Sequence, residues 1–170
     1  MHHLHLLRHA KSSWEEGVDD HDRPLSRRGR DEAGRVGRDL PAALGRVDLV
    51  LCSSAERTAE TMRLALAGFR PPPRVVIEDG LYLASAARLL QRLARLDEAE
   101  ETVLLIGHNP GLHELALALA APEGKRYRAL AGGKFPPAVR ASFTVAGPWS
   151  ALGSSRHKLE AYVTAKSLGD

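Results

Sequence analysis

The chain has a single cysteine, Cys52, in 170 residues, which excludes an internal disulfide framework and suits a reducing compartment. Aromatic residues make up only 5%, and Lys and Arg are spread over every segment, so the clustered basic and stacking residues of a nucleic-acid footprint are missing. The formal charge is a modest +3. No run of 18 apolar residues occurs, and no charged segment leads into an apolar one at the start, so neither a membrane span nor a secretory leader is expected. These absences point to a cytoplasmic protein with no nucleic-acid and no membrane partner. Apolar residues at 44% and charged residues at 26% give the balance of a globular chain, and the length suits a single domain over residues 1–170.

No internal repeat appears. Helix and strand signals alternate, the pattern of an α/β domain on a mostly parallel sheet. Leu4 to Leu7 reads as a short buried strand leading into Arg8 and His9, followed by an acid-rich loop from Glu15 to Asp22. A helix opens at Ser26, with Ala33, Val36, Gly37 and Leu40 on one face. Val47 to Cys52 reads as a second strand, after which Ser53 and Glu56 have capping-box spacing for a helix that turns Ala59, Met62 and Leu66 inward. Pro71 to Pro73 form a stiff connector into a strand over Val75 to Ile77. Ser85 caps a third helix carrying Leu89, Leu90, Leu93 and Leu96. Thr102 to Ile106 is the central strand, and Asn109 and Pro110 open a helix with Asn at the N-cap and Pro at the first helical position. Phe143 to Ala146 and Lys158 to Thr164 read as two edge strands.

Three segments lie just past the carboxyl ends of strands, where open α/β sheets place their ligands. They are Arg8-His9, Ser53 to Arg57, and Gly107-His108-Asn109. If their strands are neighbours, two histidines and two arginines converge. A phosphoryl group carries close to two negative charges, and the planar arginine fork matches its oxygens. Helix starts at Arg57 and Asn109 would add free N–H groups. A neutral imidazole there can attack phosphorus in line, while the second histidine and the arginines stabilise the equatorial oxygens.

Arg8-His9-Ala10-Lys11-Ser12 resembles the Arg-His-Gly-x-Ser/Thr signature of the histidine phosphatase (phosphoglycerate mutase-like) superfamily. Ser53-Ser54-Ala55-Glu56-Arg57-Thr58-Ala59-Glu60-Thr61 is similar to that family's Ser-x-x-x-Arg-x-x-x-Thr segment. Ala10-Lys11-Ser12, the segment from Asp22 through Arg23-Pro24-Leu25-Ser26 to Gly29, and Gly107-His108-Asn109-Pro110-Gly111 look like the phosphohistidine phosphatase SixA group within it. These segments run in the family's order from residue 8 to 111. The resemblance implies a three-layer α/β/α sandwich, His9 as nucleophile, Arg8, Arg57 and His108 as phosphate ligands, Ser12 as a further contact, and no cofactor or metal. It leaves the general acid unassigned. One branch places a Glu where Tyr82 or Leu83 falls here, and another places an Asp where this chain has Asn109. Glu78, Asp79, Asp20 and Asp22 are nearby carboxylates, and none matches cleanly.

The missing acid bears on substrate. An alkoxide needs a proton as it leaves, whereas a phosphohistidine protonated on its other nitrogen departs as neutral imidazole. A phosphohistidine protein or another activated phosphoryl donor is therefore the expected substrate. The alternatives are a phosphomonoesterase on small phosphorylated metabolites and a phosphoprotein-binding module with little turnover. A mutase is disfavoured, since the chain shows neither the Glu nor substrate-clamping insertions. A thiolate mechanism is a poor fit too, because Cys52 and Arg57 have four residues between them and no glycine, where cysteine phosphatases have five and glycine. His2, His3 and His5 lack a nearby carboxylate or thiol partner for a metal, His113 reads as a helix-face residue, and the arginine-rich stretch Arg23 to Arg38 reads as a solvated face.

Overall fold

Along the inner strands apolar side chains point alternately to opposite faces, so both faces of the sheet must be covered. The computed structural model describes residues 1–169. Its strands and helices, in chain order, are β1 (His2–Arg8), α1 (Arg27–Leu44), β2 (Leu49–Ser53), α2 (Glu56–Ala65), β3 (Arg74–Glu78), α3 (Ala86–Ala94), β4 (Thr102–Gly107), α4 (Gly111–Leu119), α5 (Gly124–Gly132), β5 (Arg140–Val145) and β6 (Lys158–Val163). The sheet order is β3-β2-β4-β1-β5-β6. β1, β2, β3 and β4 run parallel, β5 is antiparallel to β1, and β6 is antiparallel to β5.

Leu49 and Leu51 of β2 and Val103 and Leu105 of β4 face α3, α4 and α5, where they meet Leu89, Leu93, Leu112, Leu115 and Leu130. Val50, Cys52, Leu104 and Ile106 face the other way, onto Ala33, Val36 and Leu40 of α1 and Ala65 of α2. The result is a three-layer α/β/α sandwich around a mixed sheet. Each buried leucine contributes about 1.5–3 kcal/mol relative to exposure. Among the described residues, no helix is long and apolar enough to cross a membrane.

Several local expectations hold. Ser26 and Ser85 cap α1 and α3, accepting from Gly29 N and Arg88 N. Others are corrected. Ser53 is the last residue of β2, and α2 starts at Glu56 behind Ala55 with no side-chain cap. Helix α4 starts at Gly111, and Asn109 donates instead to the carbonyls of Lys134 and Phe135. β5 is an inner strand paired on both sides, because β1 leaves one side free for it, so of these two strands β6 alone is an edge. Helix α5 escapes the sequence reading because its apolar content is low and a single residue, Leu130, is buried.

Candidate active site

The order β2-β4-β1 makes the three suspected strands neighbours, so their carboxyl ends open onto one crevice of about 330 Å³. Arg8, His9, Ser12, Arg57 and His108 all line it. The segment after β1 is held by the start of α1: Ser26 donates to Lys11 O from both its backbone N–H and its hydroxyl. A Cβ at Gly29 would stand 1.9 Å from Lys11 O, so only glycine lets that helix turn approach so closely. On the far wall a Cβ at Gly111 would stand 2.0 Å from Ala84 O, which seats α4 against the loop before α3. Buried Thr61 ties the two motif segments together, accepting from Ala10 N at 3.0 Å and donating to Arg57 O at 2.7 Å.

His9 is 6% exposed, and its Nδ1 lies 2.7 Å from Ala10 O. A carbonyl only accepts, so Nδ1 carries the hydrogen and Nε2 keeps its lone pair. Burial, reinforced by the charges of Arg8, Arg57 and Arg23, outweighs the pull of the Ala10 carbonyl and lowers the His9 pKa to about 3. The His9 ring is thus neutral at physiological pH.

His108 stands 5.3 Å from His9, ring centre to ring centre. Its Nε2 is 2.7 Å from the Ser53 hydroxyl, which also accepts from Ala55 N at 3.4 Å. Burial first, then the neighbouring His9 and Arg57, lowers the His108 pKa to about 3, so the ring holds one proton. In the tautomer in which Ser53 donates to Nε2, that proton sits on Nδ1, which is buried and has no partner. The capping-box spacing concealed this use of Ser53.

Arg8 donates through Nη1 to Phe135 O at 3.0 Å, and Arg57 through Nη1 to Asp20 O at 2.7 Å. The Nε atoms of both are buried and unpaired. Arg23 is not part of a solvated face: it is 6% exposed and donates to Ser12 Oγ at 2.9 Å and Asp20 Oδ1 at 3.1 Å. Ser12 accepts from Arg23 and keeps its own proton for a ligand. Phe135 and Arg23 are further contributors that sequence reasoning missed. Arg23 was hidden in an arginine run, and Phe135 acts through its carbonyl.

Of the four carboxylates near the site in sequence, only Asp20 lines the crevice. Glu78 is held by Arg92, 2.8 Å from its Nε, while Asp79 and Asp22 are exposed. Asp20 receives the Tyr82 hydroxyl and Arg57 Nη2 on one oxygen and Arg23 Nε on the other. The Tyr82 bond and the two arginines together exceed the effect of burial and hold its carboxyl at about 2. At neutral pH it is ionised and has no proton to give. Cys52 is fully buried, and burial raises its thiol to about 12, which withholds a thiolate. His2 is bonded to the carbonyls of Gly147 and Glu98, His5 to the Ser142 hydroxyl, and His113 donates to Leu130 O.

The model of the histidine phosphatase superfamily (branch 1) matches residues 4–82. A Mycobacterium tuberculosis protein of uncharacterized function is 39% identical over 146 residues, covering 85% of this chain and 90% of the relative. The chain belongs to the histidine phosphatase superfamily. A structure from Nakamurella multipartitia, designated a phosphohistidine phosphatase SixA, superposes with a TM-score of 0.84 at 28% identity, covering 96% of this chain and 95% of that one. One from Agrobacterium tumefaciens with the same designation gives 0.81 at 27%, covering 96% and 97%.

Proposed function

We propose that the protein is a phosphatase that works through a phosphohistidine on His9 and acts on a phosphohistidine protein or another activated phosphoryl donor. The observation that carries this is the pairing of a neutral, buried His9 with a crevice whose only carboxylate is pinned in its ionised form. His9 Nε2 attacks phosphorus while the bond to the leaving group breaks. Its Nδ1–H stays on the Ala10 carbonyl, so the phosphorylated ring carries a positive charge that offsets the phosphoryl group. Arg8, Arg57, His108 Nδ1–H and the Ser12 hydroxyl supply donors for the phosphoryl oxygens, a contribution of position and charge. Water then attacks phosphorus, the N–P bond breaks, its electrons return to Nε2, and the proton from water leaves with the phosphate.

The one carboxylate of the crevice, Asp20, is ionised and has no proton for a departing alkoxide. A positioned acid is worth about 100- to 10,000-fold in such a step. Departing imidazole needs no such help, and transfer from one imidazole to another is nearly balanced in energy. The test compares kcat/KM at pH 7 for a phosphohistidine protein, p-nitrophenyl phosphate and a phosphoserine peptide, with trapping of the enzyme adduct. The first two should exceed the third by at least about 100-fold, with an acid-labile, alkali-stable label that His9→Ala does not take up. Equal turnover of the phosphoserine peptide, or equal labelling of His9→Ala, would overturn the reading.

A further inference from the structure

Four large apolar side chains are exposed among the described residues: Met1, Trp14, Ile77 and Leu83. Two of them, Trp14 at 79% and Leu83 at 53%, line the crevice that holds His9. A single exposed leucine needs no explanation. Here the exposure is accompanied by two constraints that keep the side chains in place.

Trp14 is pinned from one side. The Arg23 guanidinium carbon lies 3.6 Å from the centre of its ring, at stacking distance. Arg23 is itself immobilised in the protein by Ser12 Oγ, Ser13 O and Asp20 Oδ1. The indole is therefore presented to solvent as a rigid plane, with its backing fixed to the phosphate-binding loop. Leu83 is held by its main chain. It has φ +49°, a left-handed conformation that a leucine adopts only at a cost in energy. It stands directly after Tyr82, which bonds Asp20, and before Ala84, whose carbonyl meets α4 at Gly111. The floor of the crevice is cationic and rich in N–H donors, and these two loops add apolar walls to it.

We infer that Trp14 and Leu83 form an apolar subsite beside the phosphoryl pocket, which takes the apolar neighbours of a phosphorylated side chain on a protein partner. The inference rests on the phosphatase reading and names the substrate class for the same site. The crevice, at about 330 Å³, is small against a protein chain, so the chain that carries a phosphorylated side chain stays at its rim, where Trp14 and Leu83 stand exposed. What lies against Trp14 and Leu83 is then the chain that carries that side chain. A hydrophilic metabolite would leave Leu83 uncovered and would meet on Trp14 only the single indole N–H. A partner with apolar flanks buries them, and full burial of such a side chain is worth about ten-fold or more in affinity.

The experiment keeps the N–P bond constant and changes only its surroundings. Two phosphohistidine peptides are compared, one with glycine flanks and one with leucine and phenylalanine flanks, in the wild type and in Trp14→Ala and Leu83→Gly. Wild type should favour the apolar-flanked peptide by about ten-fold in kcat/KM, with the difference mainly in KM. That ratio should fall to within about two-fold in Trp14→Ala and be retained in Trp14→Phe. Leu83→Gly suits the left-handed backbone and should also reduce the ratio. An unchanged ratio in both Trp14→Ala and Leu83→Gly overturns the subsite while leaving the phosphatase reading intact. Binding to His9→Ala supplies a readout independent of turnover. There the apolar-flanked peptide should shift the Trp14 emission to the blue and bind more tightly than the glycine-flanked one. If neither peptide is turned over by the wild type, this binding difference alone decides: its presence supports the subsite without the chemistry, and its absence overturns both.

Discussion

The sheet carries a cavity at each end of its strands, and the two are opposite in how their charges are arranged. The cavity at the amino ends of β2, β3 and β4 is the larger, at about 870 Å³. Its arginines are all occupied: Arg46 on Asp48 at 3.1 Å, Arg74 on Glu100, and Arg70 on the carbonyls of Ala67 and Phe69. The crevice at the carboxyl ends is the smaller, at about 330 Å³. Its residues contribute four buried atoms without partners, Arg8 Nε, Arg57 Nε, His108 Nδ1 and Asn109 Oδ1, and among the described residues the amino-end cavity contributes none. A buried polar atom without a partner costs about 1–3 kcal/mol. Several retained in one place mark the end at which the proposed chemistry is placed, and size does not.

The sharpest way to break this contrast is to remove donors from the small crevice. Arg57→Ala and His108→Ala should each lower kcat by about 100- to 1,000-fold while circular dichroism shows a folded protein, the usual loss of a donor aimed at transition-state charge. A few-fold effect for either variant places that residue outside the chemistry.

A smaller effect is expected at Ser53, which orients His108. Ser53→Ala should cost about ten-fold in kcat, the scale of one hydrogen bond. A purely structural role would stop there. The tautomer argument requires in addition that nitrogen-15 spectra show His108 protonated on Nδ1 in the wild type and shifted toward Nε2–H in the variant. Since burial lowers both His9 and His108 to about 3, these spectra should show neutral rings from pH 8 down to pH 5, with protonation appearing only as pH falls toward 3. An imidazolium signal at pH 5 would contradict the burial of the site.

The smallest effect belongs to the other end. Arg74→Ala breaks an ion pair whose arginine is 58% exposed, and it should change stability by less than about 1 kcal/mol and leave kcat/KM within about two-fold. A large loss of activity there would mean that the amino-end cavity takes part in function.

Much of this was legible in the sequence, for identifiable reasons. The convergence of Arg8, His9, Arg57 and His108 on one crevice could be read because each segment follows an apolar strand, and those strands proved to be neighbours. Helices α1 and α3 showed their caps at Ser26 and Ser85 because the side-chain oxygen acts within its own turn. The misreadings share the opposite property. Ser53 has the spacing of a local cap but bonds His108, 55 residues away. Asn109 has the position of a cap but spans to Lys134 and Phe135. Arg23 sits in a run of solvated arginines, yet packing against Ser12, Asp20 and Trp14 buries it. Local signals are readable from a chain alone, and long-range partners that outcompete them are not.

The aim of the site is set largely by main-chain oxygens. Ala10 O turns His9, Phe135 O holds Arg8, and Asp20 O holds Arg57. Any residue at positions 10, 20 or 135 supplies the same carbonyl, provided it accepts the backbone conformation, which at Phe135 means φ +51°. Side-chain scanning at positions 10 and 135 therefore measures packing and passes over the group that does the orienting, while at position 20 it also removes the Oδ2 contact to Arg57 Nη2. His108 is held differently, by the Ser53 hydroxyl, and Arg57 has the Asp20 carboxylate in addition to its carbonyl. Sequence drift that keeps the backbone leaves these carbonyls in place, whereas at Ser53, on His108, and at Asp20, on Arg57 and Arg23, it can disturb the geometry through the side chain alone.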